Sequence, residues 1–224
     1  MRFPREAPDV ERVATVDIET TATNPRDGEL VSVGVGVHAR TDSLTQATYE
    51  TFHRDGEGEV SLVRAAMDRL EGSDADALIT YNGAEFDLPF VEGRLAAHDA
   101  TLDRPSITDS ETHVDLFLDR RERAEETDEP WPGLEACLEA YGYTPATTVW
   151  RGESVTNERF GEELGAAYLR TLGTETGARF RATLADVVDH YLRTDLEATL
   201  ALFYADLGES VDAAYLGTER RFEL

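Results

Sequence analysis

With 224 residues, the chain is long enough for one domain with a full hydrophobic core and too short to divide comfortably into two. Its one cysteine, Cys137, excludes an intrachain disulfide, and no apolar run approaches the length of about 18 residues that a membrane span requires. The N-terminus lacks an apolar signal segment. We therefore expect a soluble, cytoplasmic protein without a membrane partner, with a single domain over residues 1–224 and its core over about residues 12–207.

The charge balance is strongly acidic. The sequence has 46 Asp and Glu residues against 21 basic residues, all of them arginine, which gives a formal net charge of -25. Repulsion on this scale loosens a fold in dilute buffer, but at about 1 M salt the Debye length falls to roughly 3 Å. We interpret the composition as adaptation to a salt-rich cytoplasm of the kind found in haloarchaea. Acidity of this origin does not exclude a nucleic-acid partner, which would be held by stacking, hydrogen bonds and metal ions.

The first predicted strand ends in two acids. The run VATVDIETT, residues 13–21, has the apolar character of a short buried strand, but Asp17 and Glu19 stand where such a strand carries Val or Ile. Alternate residues of a strand share a face, so the two carboxylates project together. They repel unless a cation lies between them, which makes the pair half of a divalent-metal site. A polar strand end that enters solvent is the more ordinary interpretation of so short a motif.

Strands and helices then alternate along the N-terminal half. Strands over residues 30–38 and 48–53 have alternating apolar residues, and we predict that they form an antiparallel meander with the first strand. The next predicted elements, in order, are a helix over 61–70, a strand from 77 to an Asn-Gly turn at 82–83, a helix over about 86–98 and a short strand at 112–117.

The C-terminal half is predominantly helical. Helices are predicted over about residues 134–141, 162–172 and 180–207, with Cys137 at a core position of the first. The run 119–130 mixes acids with arginines, which predicts a solvated connection, or alternatively a mobile flap over a site. The order of elements indicates an α/β fold with a mixed central sheet, an antiparallel meander plus parallel strands, flanked by helices.

Two further acids stand at positions that their local patterns do not fully explain. Asp87 begins a helix directly after a strand, where capping the helix N-terminus is the ordinary role of an acid. Asp195 continues an apolar stripe that runs through Tyr191, so the pattern assigns an acid to the interior. An interior acid in a chain without lysine needs arginine, hydrogen bonds or a metal. Considered together with the first two acids, a metal is favoured.

These residues resemble the three exonuclease motifs of the DEDD superfamily of 3'-to-5' exonucleases. The chain is most similar to the YprB-like ribonuclease H-like domain family, which is related to the proofreading domain of family B DNA polymerases, over roughly residues 12–205. The resemblance implies a ribonuclease H-like fold and an exonuclease that hydrolyses phosphodiester bonds at the 3' end of single-stranded DNA or RNA. The matching motifs are Asp17-Ile-Glu19, Asn82-x-x-x-Phe86-Asp87 and Tyr191-x-x-x-Asp195.

The resemblance also implies a role for each motif residue. Asp17 would lie between two divalent cations, with Glu19 and Asp195 on the one that carries the attacking water and Asp87 supporting the other. Mg²⁺ or Mn²⁺ suits such a site, because all the ligands are hard oxygens and the sequence offers no Cys or His cluster for zinc. Asn82 and Phe86 would contact the substrate, although a turn asparagine and a core phenylalanine explain them equally well.

The last motif satisfies two alternative spacings. The superfamily divides by whether this motif is Tyr-x-x-x-Asp or His-x-x-x-x-Asp, and Tyr191 and His190 each fit one of them with Asp195. On a helix, residues four apart share a face, whereas a residue five away lies about 140° around the axis. The apolar stripe indicates an unbroken helix, so we predict that Tyr191 faces the metals and orients the attacking water while His190 faces away.

Some possibilities remain open at this point. A non-catalytic module that binds nucleic acid or a protein partner, and an endonuclease, are the alternative functions, and the presence of all four acids favours an enzyme. An unidentified protein partner would direct the enzyme to its substrate. The sequence does not decide between DNA and RNA as that substrate. We assign Asp115 a structural or supporting role and expect Asp186 and Asp189 to be solvated.

Overall fold

A five-stranded mixed sheet forms the centre of the computed structural model, which describes residues 1–173 and 177–223. The strands β1 (Arg12–Thr20), β2 (Leu30–Ala39) and β3 (Thr48–His53) pair antiparallel, while β4 (Ala77–Thr80) and β5 (His113–Asp115) continue the sheet parallel to β1. The resulting order is β3-β2-β1-β4-β5. This confirms the predicted α/β fold with an antiparallel meander plus parallel strands.

Helices cover both faces of this sheet. On one face, α1 (Glu59–Glu71) and α2 (Leu88–Ala97) pack against the even-numbered residues of β1, such as Val16. The long helix α7 (Gly177–Asp206) packs on the opposite face, against odd-numbered residues such as Val13. The remaining helices are α3 (Leu116–Thr127), α4 (Leu134–Tyr141), and the short α5 (Asn157–Arg159) and α6 (Ala166–Leu169). No helix in the described ranges has the length and hydropathy that crossing a bilayer demands.

Two features differ from the sequence-based expectations. The solvated connection predicted over residues 119–130 is wrong, because α3 occupies most of it and buries Arg120 completely. The apolar stripe of this helix could not be recognised in the sequence, because the buried face includes the charged residue Arg120. A second sheet of order β7-β6-β8, formed by Thr147–Trp150 (β6), Glu153–Ser154 (β7) and Glu219–Phe222 (β8), was not predicted. Its parallel pair joins segments far apart in the chain, a pairing that no local pattern encodes.

Glycine on β2 allows α7 to lie close to the sheet. Gly34 pairs with Asp17 on β1, and a Cβ atom built on Gly34 would lie 2.7 Å from Cδ1 of Leu196 and 2.8 Å from Cγ of Leu192 on α7. Separations below 3.0 Å require the helix or its side chains to shift. The glycine therefore sets the distance between the strand that carries Asp17 and the helix that carries Asp195.

We expect Gly34→Ala to lower the free energy of unfolding by about 1 to 3 kcal/mol, since an extra methyl group overpacks a filled interface. Urea unfolding in concentrated KCl measures the change. Gly56→Ala is the matched control, because a Cβ atom at Gly56 meets nothing within 4 Å. Equal stability of the two variants would contradict the tight packing of α7 on the sheet.

Candidate metal centre and its cavity

Three carboxylates meet where β1 ends under α7. Asp17 and Glu19 project from the same face of the strand, and Asp195 comes down from the helix. One oxygen from each of the three lies within 4.8 Å of the others. Glu19 is buried, and Asp17 and Asp195 are half-buried. The strand periodicity and the helix stripe thus bring together the acids that the sequence singled out separately.

Asp87 lines the same cavity as these three carboxylates. It ends a π-helical turn, Gly83–Asp87, that follows β4, and its side chain is buried. It lies outside the group of three whose oxygens are within 4.8 Å, but its charge interacts with that of Asp17. The carboxylate makes no capping hydrogen bond to α2, so helix capping does not explain this acid.

Burial raises the pKa of every acid in the cluster, and the charge of Asp17 adds to the rise for the other three. Burial is the largest cause for Asp17, whose pKa rises to about 7, and for Glu19, whose pKa is also raised by the charge of Asp17. The pKa values of Asp87 and Asp195 are raised well above the ordinary value, again by burial first and by Asp17 second.

These carboxylates lack a cationic partner. Within residues 1–173 and 177–223, no arginine or histidine forms an ion pair with any of the four. Buried acids at such separations are costly unless a positive charge joins them, and an all-oxygen ligand set of this kind suits hard divalent cations. The residues present therefore fit a divalent-metal site.

Tyr191 and His190 lie on different sides of α7. Tyr191 lines the cavity, stacks on Phe160 with 5.7 Å between the ring centroids, and donates a 2.6 Å hydrogen bond to Oδ1 of Asn157. His190 is buried on the far side, where Nδ1 lies 2.7 Å from Oγ1 of Thr148. Burial lowers the pKa of His190 to about 4, so this ring is neutral at physiological pH.

The turn after β4 is held by Asp115. The carboxylate accepts hydrogen bonds from the backbone N–H of Asn82 at 2.8 Å and of Ala84 at 2.9 Å. Asn82 has a left-handed backbone, with φ of 70°, and lines the cavity together with Phe86, which also packs on Phe90. Asp115 itself is not among the residues that line the cavity.

The acids expected to be solvated differ from each other. Asp186 is exposed, as predicted. Asp189 accepts a hydrogen bond from Thr51 and forms an ion pair with Arg193 at 2.9 Å, so the prediction that it is merely solvated is wrong. The spacing of Asp189 on the helix could not reveal its partner on β3, which is distant in the sequence.

The carboxylates open into a cavity of about 1080 Å³. Several residues that line it carry no motif and were missed, because their place beside the acids depends on how separate segments pack. They include Trp131 and Glu135 near the start of α4, Asn157 in α5 and the segment 20–23 at the end of β1. The charge of Glu135 helps to raise the pKa of Asp195 and of Tyr191.

Comparison with known proteins gives a family match and likenesses to many solved structures. The sequence model of the RNase_H superfamily matches residues 14–157, a range that holds Asp17, Glu19 and Asp87 and ends before Asp195. The structure of the family B DNA polymerase from the hyperthermophilic archaeon Pyrobaculum calidifontis is similar over 91% of this chain, with a TM-score of 0.56 and 17% identity. The chain spans 25% of that polymerase, and no curated protein matches its sequence. These likenesses confirm the predicted ribonuclease H-like fold.

Proposed function

The chain belongs to the RNase_H superfamily, and from that premise we propose that it is a DEDD-type, metal-dependent 3'-to-5' exonuclease acting on single-stranded DNA or RNA. The observation that carries the proposal is the convergence of Asp17, Glu19 and Asp195, with oxygens within 4.8 Å of one another in a cavity open to a ligand. Structural carboxylates are normally paired with arginine or exposed on the surface, whereas these three are buried or half-buried and have no arginine partner among the described residues.

The four acids have distinct places in the proposed reaction. The charge of Asp17 acts on each of the other three carboxylates. Asp17 would contribute to holding both of two cations, Mg²⁺ or Mn²⁺, Glu19 and Asp195 would help to hold the one that carries the attacking water, and Asp87 would support the other. Cations bound there would supply Lewis-acid chemistry, activation of a water molecule and stabilisation of the leaving oxygen of the phosphodiester. Asn82 and Phe86 line the cavity beside Asp87 and would position the terminal nucleotide of the substrate.

Tyr191 is the residue that we assign to the attacking water. Burial and the charge of Asp195 hold its pKa well above the ordinary value, so the hydroxyl stays protonated. Its one hydrogen is donated to Asn157, which leaves the hydroxyl oxygen to accept a hydrogen bond from the attacking water. Its bond to Asn157 and its stacking on Phe160 hold it in the cavity wall. The last motif is then of the Tyr-x-x-x-Asp kind.

We expect Tyr191→Phe to lower the rate of nucleotide release by about 100-fold, because the attacking water loses the hydroxyl oxygen that orients it. His190→Gln is the matched control on the adjacent position and should change the rate less than about threefold, which is below 1 kcal/mol of activation free energy. Single-turnover release of label from a saturating substrate measures both. The reverse pattern would assign the role to His190.

The acidic surface and the cellular context belong to the same proposal. We propose a single domain over residues 1–224 that works in the salt-rich cytoplasm of a haloarchaeal cell, with a protein partner that directs it to nucleic-acid ends. The net charge of -25 supports the salt adaptation.

The function is tested with 5'-labelled single-stranded DNA and RNA in concentrated KCl. With Mn²⁺ the labelled strand should shorten stepwise from its 3' end, and with EDTA it should stay intact. Internal fragments without a stepwise ladder would indicate the endonuclease alternative. An intact strand at every salt and metal concentration would favour a non-catalytic binding module and overturn the proposal.

A further inference from the structure

A contiguous aromatic wall stands in the cavity beside the carboxylates. Tyr81, Phe117 and Trp131 all line the cavity, and their rings are in contact in that order, with centroids 5.5 Å and 5.9 Å apart. Phe117 is buried and Tyr81 is half-buried, whereas Trp131 is 59% exposed. The wall thus ends in a large aromatic side chain that is accessible to a ligand.

The exposed ring is held in a fixed position. It meets Phe117 edge to face, at an interplanar angle of 78°, and the guanidinium of Arg121 lies 5.8 Å from the ring centroid. Arg121 is itself fixed by two contacts to the carboxylate of Glu85, one of them 2.9 Å long. The Tyr81 hydroxyl donates to the carbonyl of Pro132, the residue after Trp131. A ring held in this way loses little conformational freedom when a ligand packs on it.

The charges of the cavity limit how a nucleic acid can be held there. None of the described residues that line it is basic, and Glu135, Glu158 and Glu162 add negative charge to the walls. The usual electrostatic grip of arginine on phosphates is therefore missing at this point. A nucleobase is uncharged and presents a π-face, so stacking is the interaction that an acidic, aromatic cavity can still provide.

We infer that Trp131 is a stacking platform for an unpaired nucleobase of the substrate strand. The inference rests on the proposed function, since the wall adjoins the carboxylates that would act on the strand's end. In a blunt duplex only the outer face of each terminal base pair is open, and the bases are held in pairs, whereas an unpaired end can turn a base onto the ring, so the platform favours single-stranded ends. Stacking is also sequence-tolerant and does not depend on counterion release, which fits binding in concentrated salt.

Binding is measured in the Asp17→Asn background, so that no strand is consumed, with fluorescently labelled oligothymidylate of about eight residues in concentrated KCl. Trp131→Ala should weaken binding by about 10- to 100-fold, the range found for loss of one base-stacking aromatic. Trp131→Phe keeps a ring and should bind within about fivefold of the parent. Phe180→Ala removes the other exposed large aromatic, which is 41% exposed and not among the cavity-lining residues, and should leave the affinity unchanged.

Tryptophan fluorescence gives an independent signature. The chain has two tryptophans, and Trp150 is only 1% exposed, so a ligand that stacks should quench the emission of Trp131. The quenching should disappear in Trp131→Phe although the oligonucleotide still binds.

The inference is overturned if Trp131→Ala binds as tightly as its parent, or if a blunt duplex binds as tightly as the single strand. These outcomes are separable from failure of the proposed function. Binding through Trp131 without nucleotide release by the native chain would refute the exonuclease and retain the platform. Nucleotide release by Trp131→Ala with an unchanged KM would do the opposite.

Discussion

Replacing Asp17 with asparagine is expected to lower the rate of nucleotide release by about 10³- to 10⁴-fold. Asparagine has nearly the same shape but no negative charge, so the variant keeps the packing of the site and loses the carboxylate whose charge acts on the other three acids. Metal ions stabilise a transition state by several kcal/mol, and each 1.36 kcal/mol corresponds to a factor of ten in rate. Single-turnover release from 5'-labelled DNA with Mn²⁺ measures the loss.

The same substitution should have the opposite effect on stability in metal-free buffer. The pKa of Asp17 rises from 3.8 to about 7 on folding, so the native state binds this proton more tightly than the unfolded chain does. Stability therefore falls as the pH rises from about 4 to about 7, and the deficit is complete above that range. Asp17→Asn has no carboxylate to ionise at this position and does not lose this stability. It should therefore have a higher Tm than the native chain at pH 8 in EDTA.

Adding Mn²⁺ should make the Tm of the native chain higher than that of Asp17→Asn. A ligand that binds only the folded state stabilises it by about 2.7 kcal/mol at 100 times its Kd, and this gain requires the carboxylates. Mn²⁺ should thus raise the Tm of the native chain and leave that of Asp17→Asn nearly unchanged. Asp186→Asn, an exposed acid on α7, is the matched control and should behave as the native chain does. If Mn²⁺ shifts the Tm of Asp17→Asn as much as that of the native chain, the carboxylates do not form the metal site.

The parts of the site that could be predicted from the sequence are those encoded by local periodicity. The i, i+2 spacing on β1 placed Asp17 and Glu19 on one face, and the apolar stripe of α7 placed Asp195 inside. Both patterns work because a buried acid interrupts an otherwise apolar repeat. Such interruptions are visible without any knowledge of the neighbouring elements.

The parts that could not be predicted depend on contacts between distant segments. Trp131 and Asn157 reach the cavity because α4, which follows Trp131, packs on α7, and α5 packs on the turn Phe160–Gly165 that contacts β1. Neither residue interrupts a repeat. Arg120 misled the prediction in another way, because a buried arginine made an amphipathic helix resemble a solvated connection. Its partner, Asp206, lies on another helix, so the pattern alone could not show that its charge is compensated.

Breaking the ion pair between Arg120 and Asp206 is expected to have the largest effect on stability. Arg120 and Asp206 are both fully buried and form an ion pair at 2.5 Å. Asp206 also accepts a 2.8 Å hydrogen bond from the hydroxyl of Tyr141 and a 3.2 Å bond from Nε of Arg5. The cluster therefore joins the N-terminal segment, α3, the end of α4 and the end of α7.

We expect Asp206→Asn to lower the free energy of unfolding by about 3 to 5 kcal/mol, because it leaves the guanidinium of Arg120 buried without a counter-charge. For a chain of this size the Tm should fall by roughly 10 °C. Urea unfolding in concentrated KCl measures the loss. Glu92→Ala, which breaks an exposed ion pair with Arg104, is the control and should cost less than about 1 kcal/mol.

The double variant Arg120→Met/Asp206→Leu separates the cost of an unpaired charge from the worth of the pair. Apolar residues of similar volume remove both desolvation penalties, so the double variant should be more stable than Asp206→Asn alone and close to the native chain. Losses that simply add, with Arg120→Met as the second single variant, would mean that the two residues are not coupled and would contradict the expected cost of an unpaired charge. Asp206 lies about three turns beyond Asp195 on α7, so nucleotide release by the double variant also reports whether this cluster fixes the helix that carries Asp195 to the metal site.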